Sequence, residues 1–186
     1  MMRFLIVVLV FFVGLANPAS AEEAHDKFFN NLLSTCGHSY LGQVVEGNEN
    51  DDTWRQSKII IHTPACTSRA TQEIRIPLHV GENKSRTWII SKTQSGLRLK
   101  HDHRHDDGTP DDVTMYGGDT ATNGTANTQA FPVDEFSKAL FVEFGLDVSV
   151  TNTWTISIEP DDMLSYRLSR PGRVFQVNFD LSKPVN

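Results

Sequence analysis

Apolar and polar side chains alternate over residues 73–80, with Ile74, Ile76, Leu78 and Val80 on one face. That is the period of a strand with one face in a core. The same alternation recurs at 174–181, where Phe175, Val177, Phe179 and Leu181 are separated by Gln176, Asn178 and Asp180. Similar patterns predict strands over 37–47, 57–65, 86–93, 112–118, 152–159 and 163–169, and another running from Gly96 through a histidine-rich stretch. Turn chemistry lies between them at Gly81-Glu82-Asn83-Lys84, Gln94-Ser95-Gly96 and Arg170-Pro171-Gly172-Arg173. Asn48 to Trp54 is a polar connection, so 37–47 and 57–65 form a hairpin centred near Asp51. Pro77 suits an edge strand or a bulge.

Two segments carry the helical period instead. Residues 22–34 place Phe28, Phe29, Leu32 and Leu33 on one face. Pro132 to Phe144 has acids in its first turn, a stripe of Phe136, Leu140 and Phe144, and a stop at Gly145. Residues 119–131 are small and polar and predict a long surface loop around Asn123-Gly124. The expected fold is mainly β. It is an antiparallel meander of about nine strands, closing into a barrel or curled sheet, with a short N-terminal helix and one mid-chain helix.

With its N-terminal helix, Tyr40-Leu41-Gly42 in the first strand and the meander behind it, the chain resembles the calycin group, the lipocalins and fatty-acid-binding proteins. The resemblance is one of layout and covers most of the chain beyond residue 21. It implies a β-barrel. The lipocalin Gly-x-Trp signature is absent, the helix at 132–144 interrupts the meander, and no ligand residue carries over.

The N-terminus changes the setting. Met1-Met2-Arg3, the apolar run Phe4 to Leu15 and Ala19-Ser20-Ala21 have the parts of a secretory signal peptide, with cleavage expected after Ala21. The run is too short to span a bilayer. Residues 22–186 then form a single exported domain, periplasmic or extracellular. Losing Arg3 takes the formal charge from -6 to -7, which argues against nucleic acid and anionic membrane surfaces. An exported chain with two cysteines, Cys36 and Cys66, is expected to join them in a disulfide, and the hairpin centred near Asp51 places them opposite each other.

The one local hint of chemistry is Leu97-Arg98-Leu99-Lys100-His101-Asp102-His103-Arg104-His105. His101, His103 and His105 share parity with Leu97 and Leu99, so they face inward or toward a mouth, and the four charged residues face water. A turn centred at Thr109 sets His101 across from Gly117 and His103 from Met115; a slip of one residue brings Tyr116 to the histidines instead. Only two of the three can share an ion, because His101 and His105 are roughly 13 Å apart on a straight strand. The candidate metal ligands are His101, His103, His105 and Met115, with Asp107, His38, His62 and His79 as outside help. Imidazole with thioether favours copper, and a carboxylate favours zinc, iron or manganese.

No nucleophile elbow, metallo-hydrolase or EF-hand spacing is present. Three functions stay open: a non-enzymatic exported barrel binding a small ligand or metal ion, a metal-dependent enzyme on the histidine strand, and an envelope scaffold or interaction module.

Overall fold

A computed structural model describes residues 18–65 and 72–185, with side chains from Glu23 onward. The signal-peptide expectation falls mostly on residues outside this range, as does Cys66. Ten antiparallel strands form one sheet in the order β6-β5-β4-β3-β2-β1-β10-β9-β8-β7. They are β1 Ser39–Glu46, β2 Ile59–His62, β3 Glu73–Val80, β4 Asn83–Thr93, β5 Gly96–His103, β6 Tyr116–Asp119, β7 Thr128–Pro132, β8 Thr153–Glu159, β9 Met163–Arg170 and β10 Arg173–Val185. The sheet curls until its edges, β6 and β7, almost meet, so the expected barrel is present.

Glycine makes that seam possible. Asp134 donates its N–H to the Gly117 carbonyl at 2.9 Å. Ser137 Oγ accepts from the Gly117 N–H at 2.7 Å and lies 3.2 Å from the Gly117 carbonyl. A β-carbon on Gly118 would lie 1.7 Å from the Pro132 carbonyl oxygen. One on Gly117, which has φ 158°, would lie 1.9 Å from the Leu99 carbonyl oxygen. Backbone meets backbone here, and no side chain fits between.

One end of the barrel is stopped by α1, Pro18–Leu33, whose Phe28, Phe29 and Leu32 are fully buried in the common core. Lys92 anchors the helix through Asp26 at 2.6 Å, and Asn31 donates to the Ala126 carbonyl at 2.9 Å. The helix begins upstream of residue 22 and runs through the expected cleavage point. The other end receives the β3–β4 and β9–β10 turns, the loop from His105 to Met115, a 3-10 turn Glu49–Asp51 with α2 Asp52–Gln56, and α3 Glu135–Glu143 followed by a second 3-10 turn, Asp147–Thr151. No helix among the described residues is long and apolar enough to cross a membrane.

Three local expectations are corrected. The polar segment 119–131 contains a strand, β7, whose inward residues are Gln129 and Phe131, both fully buried. The mid-chain helix is shorter than 132–144, because Pro132 ends β7 and Asp134 caps the helix by accepting the Ser137 N–H at 2.8 Å. Its inward face is also Ser137 and Phe141, leaving Phe136 57% and Phe144 42% exposed. The bond between Ser137 and Gly117 fixes that rotation: a polar residue faces in because the seam needs its hydroxyl. The hairpin centred near Asp51 is present, with Ser39 opposite His62 and Gly42 opposite Ile59.

Candidate binding site in the open end of the barrel

Strand β5 carries His101 toward the barrel axis, as its parity with Leu97 and Leu99 requires. It is 3% exposed. Its Nε2 lies 2.8 Å from Tyr166 Oη and its Nδ1 3.2 Å from the Tyr116 carbonyl. Its ring stacks on Tyr116, with centroids 4.7 Å apart, and lies 5.0 Å from the Trp154 ring. Burial pushes its pKa down to about 3 against the opposing bond to the Tyr116 carbonyl, so His101 is neutral at physiological pH. A neutral imidazole between a carbonyl and a phenol donates at Nδ1 and accepts at Nε2.

His103 is half-buried at the pocket wall, and its Nε2 lies 3.0 Å from Tyr116 Oη. Burial, then the nearby Arg86, hold its pKa below the ordinary imidazole range. Tyr116, rather than Gly117, pairs with His101, so the slipped register is the observed one. The cause lies in the loop: Arg104 bridges Pro110, and three more residues on the returning side than on the outgoing one separate that bridge from the Tyr116 pair. Met115 absorbs the bend at φ 56°, donating its N–H to the His101 carbonyl at 2.7 Å.

The proposed metal ligands do not converge. His101 and His103 line one pocket, but β5 ends at His103 and His105 sits exposed in the turn. Met115 is 38% exposed and does not line the pocket. Asp107 is tied to Thr109, His38 stands by Tyr40, and His62 and His79 pair on the outer wall. No group of three or more His, Cys, Asp or Glu among the described residues is placed to hold a metal ion. Asp102 departs from the parity expectation in another way. It lies on the outer face yet is only 5% exposed, covered by Arg104 at 3.0 Å, Arg75 at 3.8 Å and the Thr114 hydroxyl.

What the structure assembles instead is a cup of about 380 Å³, within the range of small-molecule sites. Its floor is aromatic: Trp88 stacks on Tyr166 with centroids 4.3 Å apart at 12°, beside Trp154, Tyr116 and His101. Trp54 and Phe175, edge to face at 5.1 Å, form one wall, and Phe141, Val113 and Leu146 line the other. All three tryptophans of the chain line this one cavity.

The rim is cationic. Arg173 is neutralised: it grips Asp51 with two bonds of 2.6 Å. Burial raises the Asp51 pKa, but hydrogen bonds from Arg173 and the Asn48 N–H, with the charge of Arg173, outweigh it and leave the carboxyl below its ordinary value. Arg86 and Arg170 have no carboxylate within ion-pair distance among the described residues. Arg86 bonds Asn83 at 2.9 Å and lies 5.4 Å from the Trp54 ring centroid; Arg170 bonds Asn152 at 3.1 Å. Asp111 is the remaining acid on the rim. Two unneutralised guanidiniums over an aromatic floor form a receptor for an anion carried on a flat apolar body.

The sequence pointed to the histidines and missed the arginines. A signal existed: Arg86 shares parity with Trp88, Arg173 with Phe175, and Arg170 with Leu168, so each is an arginine on the inward face, Arg170 and Arg173 at strand ends and Arg86 in the first half of β4. No family model, curated protein or solved structure matches the chain.

Proposed function

We propose that this protein is an exported, non-enzymatic binder of a small molecule, held in the open end of the barrel. The ligand has a planar apolar body for the aromatic cup and an anionic group for Arg86 and Arg170. The observation that carries this reading is a pair of guanidiniums, Arg86 and Arg170, with no carboxylate at ion-pair distance among the described residues, above a cavity lined by every tryptophan in the chain. The calycin-like layout supports it, since one end of the barrel is stopped and the other is open. His101 and His103 act in this reading as parts of the floor and wall.

Calorimetric titration with biphenyl-4-carboxylate tests the reading. One site per chain is expected, with Arg86→Gln weakening binding roughly tenfold, as the loss of a charge-assisted hydrogen bond implies. Absence of saturable binding by both the carboxylate and its neutral carboxamide contradicts it.

Export and the disulfide belong to the same proposal. Gly37 donates its N–H to the Thr63 carbonyl at 2.8 Å, so the backbone just after Cys36 runs beside the segment leading to Cys66. The purified mature protein is expected to begin at Glu22 and to be lighter than its reduced form by two hydrogens. Reduction is expected to cost about 3 kcal/mol of stability, measured by denaturant unfolding.

A further inference from the structure

On the outer wall of the barrel, away from the cup, three side chains form a chain of their own. His62 stands at the end of β2, His79 near the end of β3, and Ser39 at the start of β1. Ser39 Oγ lies 2.8 Å from His62 Nδ1, and His62 Nε2 lies 2.9 Å from His79 Nδ1. The ring centroids are 4.2 Å apart, inclined at 52°. Ile60 faces His79 across the ladder, so His62 and His79 are diagonal neighbours on one face of paired strands. Both are half-buried and reachable from solvent.

We propose that His62 and His79 form a two-histidine clamp for a divalent transition-metal ion, with Ser39 orienting the His62 ring. A tetrahedral zinc ion bound by two imidazoles at about 2.0–2.1 Å needs its nitrogens about 3.3 Å apart. The observed separation is about 0.4 Å less, within the reach of a small side-chain rotation on a fixed backbone. One proton now lies between the two facing nitrogens. Either tautomer frees both lone pairs without loss of a proton. If the proton is on His62 Nε2 it moves to Nδ1, where Ser39 Oγ accepts it; if it is on His79 Nδ1 it moves to the outward Nε2. Ser39 then holds the ligating tautomer, the usual role of an outer partner to a metal-bound imidazole. Water completes the coordination. The Lys84 ammonium is close enough to act on both rings and opposes the bound cation.

Calorimetric titration of the mature protein with zinc chloride tests the site. One zinc ion per chain is expected, lost when His62→Gln and His79→Gln are combined and retained when His101→Gln and His103→Gln are combined. Ser39→Ala is expected to weaken binding roughly tenfold, and Lys84→Gln to tighten it, which a purely structural hydrogen bond would not do. Unchanged far-ultraviolet circular dichroism in each variant keeps folding apart from binding. No zinc binding by the wild type, or binding that survives the His62/His79 pair of substitutions, overturns the proposal. Binding lost instead with His101 and His103 assigns the ion to the cup.

Discussion

Gly118→Ala is expected to destabilise the barrel by more than about 3 kcal/mol, lowering Tm by roughly 10 °C, although it adds a single methyl group. The methyl would meet the Pro132 carbonyl oxygen at 1.7 Å and its carbon at 2.7 Å. Neither atom belongs to a flexible side chain. Relief requires β6 and β7 to separate, which breaks the Asp134 bond to the Gly117 carbonyl and displaces Ser137 Oγ. Phe141 lies one turn beyond Ser137 on the inward face of α3 and lines the cup, so the same change is expected to weaken ligand binding. Gly172→Ala is the control. It lies at the tip of the β9–β10 turn, its added carbon meets nothing within 4 Å, and its φ of 72° makes its cost one of local backbone strain, about 1 kcal/mol. Denaturant unfolding of both variants checks the difference.

The second large effect is loss of stability in acid. His101 has a folded pKa of about 3 against an ordinary value near 6.5, because the ring is buried and must be neutral to accept from Tyr166. The unfolded chain therefore takes up a proton that the folded chain refuses between these pH values. Stability rises with pH across that window, is fully present above about 6.5, and is lost progressively toward pH 3. The upper bound for this one group is roughly 5 kcal/mol. His103, His62 and His79, also held low by burial first, act in the same direction. Asp51 adds to it further down. Its folded pKa is below the ordinary carboxylate value, so its contribution is present above about pH 4 and fades as pH falls through the folded value. Urea midpoints measured from pH 3.5 to 8 are expected to climb steeply to about pH 6.5 and then flatten. His101→Phe is expected to be less stable at neutral pH, because Tyr166 Oη loses its partner, but to show a shallower slope. An equal slope in that variant would place the acid sensitivity elsewhere.

The strands were legible because each has one face in a single core, which makes the pattern alternate. Strand β3 matches its expected bounds for that reason. Strand β7 was hidden because one of its two inward residues is Gln129, buried to bond the carbonyls of Asn123 and Thr125 rather than to fill the core. In α3 the apolar stripe misled: Phe136 and Phe144 lie outside while Ser137 faces in. There the seam's hydrogen bond, formed with a residue twenty positions away, outranks the local hydrophobic pattern. The inward direction of His101 and His103 followed from parity alone. The cup did not, because Trp54, Arg86, Asn152 and Arg170 come from separate elements and meet only once the barrel has curled. No local spacing could encode that meeting.

Ligand binding in the aromatic cup is directly measurable through the chain's three tryptophans, since Trp54, Trp88 and Trp154 all line it. A two-dimensional nitrogen–proton spectrum of the mature protein shows one indole N–H signal for each. On titration with biphenyl-4-carboxylate, all three are expected to shift together along one saturable curve, with the curve displaced to higher concentration in Arg86→Gln. Indole signals that stay fixed while resonances on the outer wall move would contradict a ligand site in the open end of the barrel.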